Sequence, residues 1–479
     1  MNTGVSWPVD TQSAWARVLG MQTKLHRWAA ADPGRRFDDV FTLVHDPAFL
    51  MAAWDRVRGN KGGRTAGVDG VVPCSIPADR VVAMLADLRE SVKSGAFTPE
   101  RVRQKQIPKA NGKTRSLGIP TMTDRIVQAS LKMVMEPVFE ADFEPSSYGF
   151  RPRRRAQDAI AEIHFYASGT RNYEWVFEAD IKACFDEIDH TALMGRVRDR
   201  IGDKRVLRLV RGFLRAGVLS EDGLSRDTIT GTPQGGILSP LLANIALSVL
   251  DEHFAAKWDA LGPEWTRAKH RRAGGATMKL IRYADDFVVL VHGNRADAET
   301  LWGETAAVLE PMGLRLSAEK TRLTHIDEGF DFLGWRIQRR HIRGHSAEKT
   351  AVYTYPSKNS LASIKDKVRR MTRRASHRTL ADLLRRLNPV LRGWCTYFQH
   401  GVSKRVFDYL DHFAFWRIVG WLKKRHPKLN MGTLIRRHLP GWEIRAEGIE
   451  FYRCWQHPVT RYRYRGTKIL TPWGPAATA

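Results

Sequence analysis

Residues 278–292, with the sequence MKLIRYADDFVVLVH, constrain the fold of this chain more than any other stretch. Two runs rich in aromatic and β-branched residues, Met278–Tyr283 and Phe287–Val291, are typical of β-strands. Only Ala284 to Asp286 separate them, so the stretch predicts a tight β-hairpin with two carboxylates, Asp285 and its neighbour, at the tip. Like charges side by side cost free energy unless a cation compensates them. The pattern therefore predicts either a metal site on a rigid support or an ordinary solvated turn.

The positive charge of the chain is concentrated towards its C-terminus. The 479 residues carry a net charge of +26, and the residues from Arg336 onward account for +23, with 31 lysines and arginines against 8 acids. Such a balance favours nucleic acid as partner over an anionic membrane surface. No apolar run is long enough to span a bilayer, and the first residues lack the pattern of a secretory signal. We expect a catalytic body followed by a basic nucleic-acid-binding part, in a cytoplasmic protein.

The cysteines argue against a structural zinc site. Cys74, Cys184, Cys395 and Cys454 are far apart in the sequence, and there is no Cys-x-x-Cys pair. This spacing predicts neither a zinc finger nor a cysteine-ligated nuclease, and scattered thiols are typical of a reducing compartment.

Two further stretches carry groups that suit a metal-dependent site. Trp175–Ile181 predicts a strand with Asp180 near its end. Gln104–Pro108 and Thr114–Ile119 predict a hairpin around an Asn-Gly turn. Basic residues lie on or beside this hairpin: Lys105, Lys109, Lys113 and Arg115. They either clamp a triphosphate or belong to a solvated edge strand, where lysine is common.

The candidate residues follow one another in an order that suits nucleotidyl transfer. That order is Lys109 and Arg115, Asp180, Gln234, Asp285 and Asp286, and Lys320. Gln234 lies in a Gly-rich loop before a helix, and Leu314–Ser317 predicts a strand just before Lys320. Two divalent ions about 3.5–4 Å apart can stabilise the attacking and leaving oxygens of this reaction. Mg²⁺ needs few carboxylates for this, because substrate phosphates supply further ligands.

On these motifs the chain resembles the reverse transcriptases encoded by group II introns, over about residues 40–430. The motifs are NKGGRTAGVDG (60–70), IPKANGKTRSLGIP (107–120), SYGFRPRRRAQDAI (147–160), FEADIKACFDEIDH (177–190), GTPQGGILSPLLANIAL (231–247), RYADDFVVL (282–290) and FDFLGWRI (330–337). LNPVLRGWCTYF (387–398) is similar to the maturase-specific thumb domain. The resemblance implies an α+β right-hand polymerase with a helical thumb/maturase domain. The implied parts are an N-terminal extension and start of fingers (1–95), a fingers–palm domain (96–345), a thumb/maturase domain (355–430) and a basic DNA-binding-like segment and tail (431–479).

The resemblance also implies a role for individual residues. The ligands of two Mg²⁺ ions, for which Mn²⁺ is a possible substitute, would be Asp180, the Ile181 carbonyl, Asp285 and Asp286. The residues implied to contact the incoming dNTP are Lys109, Arg115, Phe185 and Gln234, with Phe185 under the deoxyribose. Lys320 is a candidate general acid for the pyrophosphate leaving group. Leu333, Gly334 and Trp335 would grip the primer end. Expected nucleic-acid contacts are Arg151, Arg369, Arg370, Arg373 and Arg374.

The implied partners are group II intron RNA, an RNA template with a DNA primer, and target DNA. Many relatives end in a His-Asn-His nuclease with cysteine pairs, and because Cys395 and Cys454 have no partner at ligand spacing, we expect no endonuclease here. Two alternatives stay open: a splicing-only RNA-binding maturase, and a domesticated reverse transcriptase in defence or repair. The sequence leaves the oligomeric state open.

Overall fold

The structure is a computed structural model that describes residues 7–108, 114–219, 225–226, 230–232, 235–342, 344, 349–373 and 379–474. The N-terminal lobe packs helices around the long buried helix α5. Its elements are α1 (Thr11–Ala31), α2 (Phe41–Val44), α3 (Pro47–Gly59), α4 (Val81–Ser94), β1 (Val102–Pro108), β2 (Thr114–Ile119) and α5 (Met122–Glu140). The basic hairpin predicted from the sequence is thus confirmed as β1 and β2, which pair antiparallel.

The central lobe is a four-stranded sheet with helices against it. Its elements are α6 (Ala156–Ala167), β3 (Trp175–Asp180), α7 (Cys184–Glu187), α8 (His190–Arg200), α9 (Lys204–Arg215), β4 (Val218–Leu219), β5 (Ser225–Arg226), α10 (Ser239–Ala260), α11 (Glu264–Arg272), β6 (Thr277–Tyr283), β7 (Asp286–His292), α12 (Arg295–Glu299), α13 (Leu301–Leu309) and β8 (Arg322–His325). The antiparallel strand order is β6-β7-β3-β8. β4 and β5 instead extend the β1–β2 hairpin into a second four-stranded sheet.

The sheet is buried on both faces, and the two faces belong to different cores. Phe177 and Val289 lie in a core shared with the N-terminal helices. Val176, Val288 and Leu290 face the other way, into a core shared with the C-terminal helices. Because side chains alternate along a strand, Asp180 falls on the same face as Val176. The acidic end of this face is therefore directed to the side on which the C-terminal lobe packs.

One strand predicted from the sequence is wrong. Leu314–Ser317 is not a strand, and its only sheet contact in the described structure is a single bridge between Leu316 and Ile181. Leu314 is buried without joining a ladder, so its apolar character reflects packing of irregular chain. The outer strand of the sheet is Arg322–His325, which follows Lys320.

The C-terminal lobe begins with a small sheet and continues as a helical bundle. Its elements are β9 (Phe330–Phe332), β10 (Trp335–His341), β11 (Thr350–Pro356), α14 (Lys358–Arg373), α15 (Leu380–Phe398), α16 (Lys404–Arg425), α17 (Met431–His438), β12 (Arg445–Ala446) and β13 (Ile449–Glu450). None of the helices in the described part of the chain is long and apolar enough to cross a membrane.

Two cysteines far apart in the sequence meet in this bundle. Cys395 of α15 and Cys454, just after β13, are both fully buried. A hydrogen bond between their thiols, together with burial, raises the pKa of Cys454 well above its ordinary value. The pair fastens the chain end to α15, and two thiols alone do not make a zinc site.

Residues 460–474, which we call the C-terminal strap, run back over the central lobe. Tyr462 Oη and Arg465 Nε each donate to Asp158 Oδ1 on α6, both at 2.9 Å. Tyr464 Oη donates to Glu162 Oε1 at 3.0 Å. Both acids are only 1% exposed. Part of the basic and aromatic character predicted to bind DNA in 431–479 therefore satisfies buried acids within the chain, whereas residues 475–479 lie outside the described part.

Candidate active site

The acidic hairpin predicted from the sequence is confirmed, and a third acid lies beside it. β6 and β7 pair from Thr277–His292 to Tyr283–Asp286, which leaves Ala284 and Asp285 as a two-residue turn. Ala284 has a φ of 60°, the left-handed conformation that tight hairpin turns require. Asp180 is the direct cross-strand partner of Asp286. Opposed residues in antiparallel strands have Cβ atoms about 4.5–5.5 Å apart, so the two carboxylates are neighbours.

Crowding of acids perturbs Asp286. Burial of the carboxylate raises the pKa of Asp286 to about 7, and repulsion from Asp285, Asp180 and Glu178 acts in the same direction. Lys320 opposes this shift. The residue as a whole is nevertheless exposed to solvent. Repulsion between the acids is therefore the cause that a bound cation would relieve.

A backbone carbonyl completes the oxygen donors. The Lys182 N–H donates to the Arg315 carbonyl at 2.9 Å, and the Ser317 N–H donates to the Asp180 carbonyl at 2.8 Å. These bonds flank the Ile181–Leu316 bridge, so the Ile181 carbonyl points away from Leu316, towards the side of the acidic turn. Hard divalent cations prefer such a set of carboxylate and carbonyl oxygens.

The acids do not surround a single position for a metal ion. Among the described residues, no group of three or more His, Cys, Asp or Glu side chains comes close enough to hold one ion. The site is open, which fits ions that take their remaining ligands from water and substrate phosphates. Lys320, in the turn before β8, reaches into this opening, and its Nζ lies 2.6 Å from Asp180 Oδ2. Lys320 is 62% exposed, so its ammonium group is free to move when another cation arrives.

A buried arginine that we did not predict holds the acidic turn from below. Arg282 is fully buried and forms an ion pair with Asp251 of α10. Its guanidinium also donates to the Ala284 carbonyl at 2.8 Å and to Asn244 Oδ1 at 3.0 Å. The turn is thus fixed to α10 through its backbone carbonyl at Ala284. The signal in the sequence was a charged residue inside an otherwise apolar strand.

The SYGFRP motif packs directly beneath the same turn. Backbone hydrogen bonds join Arg282 N to Ser146 O and Tyr148 N to Arg282 O, both at 2.9 Å. A Cβ on Gly149 would lie 2.2 Å from the Ala284 nitrogen, so only glycine fits this close approach. Tyr148 Oη donates to Glu162 Oε2 at 2.7 Å, and Glu162 also holds the C-terminal strap. One acid therefore connects the strap to the segment supporting the hairpin.

Phe185 and the exposed Phe150 form a second cluster. Phe185 is 8% exposed on α7, and its ring lies 6.4 Å, edge to face, from that of Phe150. The Thr232 N–H donates to the Phe185 carbonyl at 2.5 Å. A Cβ on Gly235 would lie 2.5 Å from the Gly118 carbonyl of β2. The Gly-rich loop therefore joins the basic hairpin to α7, and exposed Phe150 is a second site residue that we did not predict.

Some predicted residues lie outside the described part of the chain. Lys109, Gln234 and Arg374 are not described, and for Arg115 only the backbone is, paired with Ile107. Their predicted roles stay predictions.

Two predicted nucleic-acid contacts are wrong because their side chains are buried. The Arg151 guanidinium is only 2% exposed and donates to both carboxylate oxygens of Glu140, each at 2.9 Å. Trp335 is 1% exposed and packs on Phe398 of α15 with ring centroids 4.8 Å apart. Arg151 therefore stabilises the fold, and Trp335 anchors the loop before it rather than touching a primer.

The other predicted primer-end residues line an open groove. Leu333 and Gly334 have left-handed φ values of 49° and 81°. The groove has a volume of about 950 Å³ and runs between this loop and helices α14 and α15; its lining includes Ser363, Lys367 and Trp394. Exposed Arg369, Arg370 and Arg373 continue along α14. The groove therefore lies within the C-terminal lobe, between the loop before β10 and the basic bundle.

The fold and this site define a right-hand polymerase of the α+β class. A family model described as reverse transcriptase (RNA-dependent DNA polymerase) matches residues 107–337. A second, described as group II intron, maturase-specific domain, matches residues 361–439. Polymerase domains of this kind use divalent metal ions, and the donor set at the hairpin fits them.

Similar curated proteins include "Protein YkfC" of Escherichia coli (strain K12), 38% identical over 360 residues, which cover 72% of this chain and 93% of that protein. "Group II intron-encoded protein LtrA" of Lactococcus lactis subsp. cremoris is 30% identical over 468 residues, which cover 83% of this chain and 76% of that protein. The chain belongs to the group II intron-encoded reverse transcriptases. It is an RNA-directed DNA polymerase that also carries the maturase domain with which this family assists intron splicing.

Proposed function

We propose that DNA synthesis takes place at the hairpin tip, with Asp180, Asp285, Asp286 and the Ile181 carbonyl holding two Mg²⁺ ions, or Mn²⁺ in their place. Bound there, the ions would stabilise the attacking primer oxygen and the leaving pyrophosphate. The observation that carries the proposal is the direct pairing of Asp180 with Asp286 beside a turn held from below. Carboxylates that repel one another at this distance on a rigid support favour cation binding, because a bound cation relieves the repulsion.

Lys320 supplies the proton in this proposal. Its ammonium lies 2.6 Å from Asp180 and offsets the negative charge of the site before substrate arrives. When cations and a triphosphate enter, the side chain moves from the carboxylate to the leaving pyrophosphate and donates a proton to it. Its exposed position gives it room for that movement.

The remaining predicted residues position the substrates. Phe185 would pack under the deoxyribose and exclude a 2′-hydroxyl, while Lys109, Arg115 and Gln234 would contact the triphosphate and base. The groove beside Leu333 and Gly334 would take the primer end of the duplex that the RNA template forms with its DNA primer. Exposed Arg370 and Arg373 of α14 belong to the same proposed surface. Intron RNA and target DNA are further proposed partners. We also propose that the protein acts in the cytoplasm.

Replacement of Asp285 by asparagine tests the metal assignment. Asp285→Asn keeps the size of the side chain but removes its charge, so extension of a primed RNA template should fall by about 10³-fold, the size of several kcal/mol of lost charge stabilisation. RNA binding should stay unchanged. Asp39→Asn removes an exposed acid of the N-terminal lobe that pairs with Arg205 of α9, and it serves as the control. Synthesis at the wild-type rate by Asp285→Asn would overturn the assignment.

A further inference from the structure

One face of the thumb bundle carries exposed aromatic side chains in a row. Tyr409, His412 and Trp416 follow one another at spacings of three and four on α16, so they share one side of the helix. Trp442, in the turn after α17, stands beside Trp416 with ring centroids 6.4 Å apart. We call these four residues the aromatic stripe. Tyr409, Trp416 and Trp442 are 47%, 44% and 53% exposed, whereas Phe407 and Leu410 on the opposite side of α16 are fully buried.

The backbone holds Trp442 in an unusual conformation. Gly441 and Trp442 have φ values of 66° and 62°, both left-handed, and a bulky residue rarely adopts this region. Such strain persists where the surroundings impose it, and it is concentrated at functional positions. The two indoles meet edge to face at 69°, and each stays about half exposed.

Cations lie between the rings. Lys365 Nζ donates to Tyr409 Oη at 2.6 Å and lies 5.0 Å from the centre of the Phe413 ring. The Arg369 guanidinium lies 5.3 Å from the same ring. Acids are few here: α14 carries six basic residues and one acid, Asp366, which pairs with Arg369, and α16 carries six basic residues and two acids. The face thus combines open π-surfaces with a net positive charge.

We propose that the aromatic stripe binds unpaired bases of a structured RNA, by stacking, while the neighbouring cations hold the flanking phosphates. This inference rests on the proposed function, because it concerns how the maturase part meets its intron. Sequence-tolerant binding of single-stranded nucleic acid uses this combination of aromatic faces and positive charge. Bases inside an RNA helix have their faces covered by neighbours, so only loops, bulges and ends can occupy the stripe.

The stripe is separate from the groove assigned to the template and primer. The groove is lined on α14 by Ser360, Ser363 and Lys367, whereas Lys365 and Arg369 turn towards α16. Both surfaces can therefore be occupied together, so that RNA held at the stripe does not compete with the duplex being copied.

The test compares two forms of one labelled RNA hairpin, with its adenine-rich loop open or covered by a complementary strand. Affinities of the full chain are measured by fluorescence anisotropy at a fixed salt concentration of about 0.15 M, since binding to RNA depends on salt. The variant Trp416→Ala/Trp442→Ala should bind the open loop roughly tenfold or more weakly, as loss of base–aromatic stacking predicts. Its affinity for the covered loop should stay within about twofold of the wild type.

Two further variants control this comparison. Trp416→Phe/Trp442→Phe keeps aromatic faces and should retain most of the preference for the open loop. Trp302→Ala removes an equally exposed indole, 41% exposed on α13, and should have no effect. Equal weakening for both RNA forms would show that the rings do not distinguish unpaired bases from paired ones. No weakening at all would show that the face holds a protein or nothing. Either result overturns the proposal. Extension of oligo(dT) on poly(rA) by all variants is measured in parallel, so that a failure of the polymerase assignment is seen separately.

Discussion

Replacement of Arg282 by methionine tests how the acidic turn is held. Methionine is apolar and similar in length, so Arg282→Met leaves Asp251 as a buried carboxylate without its guanidinium. Asp251 is 2% exposed in this pair and Arg282 is not exposed at all. Removal of one partner of a buried ion pair costs about 3–5 kcal/mol. At about 2–4 °C per kcal/mol, the thermal midpoint should fall by roughly 6–20 °C.

Activity should fall separately from stability. Arg282 donates to the Ala284 carbonyl at 2.8 Å, and without this bond the turn that carries both acids is free to shift. A displacement of about 1 Å can cost 10²-fold in rate, so kcat of primed extension should fall by about that factor below the unfolding temperature. The double variant Arg282→Met/Asp251→Leu removes both charges and should regain most of the stability, because apolar replacements of buried pairs are often neutral. It should not regain activity.

Arg200→Met provides the matched control. Arg200 is also buried, at 5% exposed, and it donates to backbone carbonyls of the N-terminal lobe and pairs with Asp142. Its loss should lower the thermal midpoint without changing kcat of the folded protein. If Arg282→Met/Asp251→Leu recovers both stability and kcat, the arginine is only a structural residue and the reasoning about the turn is refuted.

Two further predictions concern stability. Burial raises the pKa of Asp124 to about 7, well above its unfolded value, so the folded state binds the extra proton and its stability should decline by up to about 4 kcal/mol as pH rises from about 4 to 7. Urea midpoints at pH 4 and 8 should show this decline in the wild type and a smaller one in Asp124→Asn, because the raised pKa of Asp286 acts in the same direction in both; parallel profiles would contradict the prediction. Arg465→Ala should cost about 2–4 kcal/mol because Asp158 stays buried beneath the C-terminal strap, whereas exposed Arg463→Ala should cost almost nothing in the same denaturation assay.

The sequence predicted what depends on local pattern and not what depends on distant contacts. The hairpin with Asp285 at its tip follows from two apolar runs around a short acidic turn, and the basic hairpin from an Asn-Gly signal. The ion pair between Lys320 and Asp180 spans 140 residues, so no local pattern contains it. Leu314–Ser317 failed because apolar spacing reports burial as well as strand formation.

Arginines show the same division most clearly, because a charge count cannot distinguish a cation that meets nucleic acid from one that meets an acid of its own chain. Arg151 is predicted to contact nucleic acid, but its guanidinium pairs with Glu140 on α5. Arg465 contributes to the basic C-terminus, yet it neutralises Asp158 at a buried site. Lys365 and Arg369 belong to the same positive excess, but Lys365 lies over the exposed Tyr409 ring and Arg369 over the half-buried Phe413 ring. The net charge of +23 from Arg336 onward therefore predicts the class of partner. The surface that binds this partner is known only once the fold shows which cations lie at exposed rings and grooves.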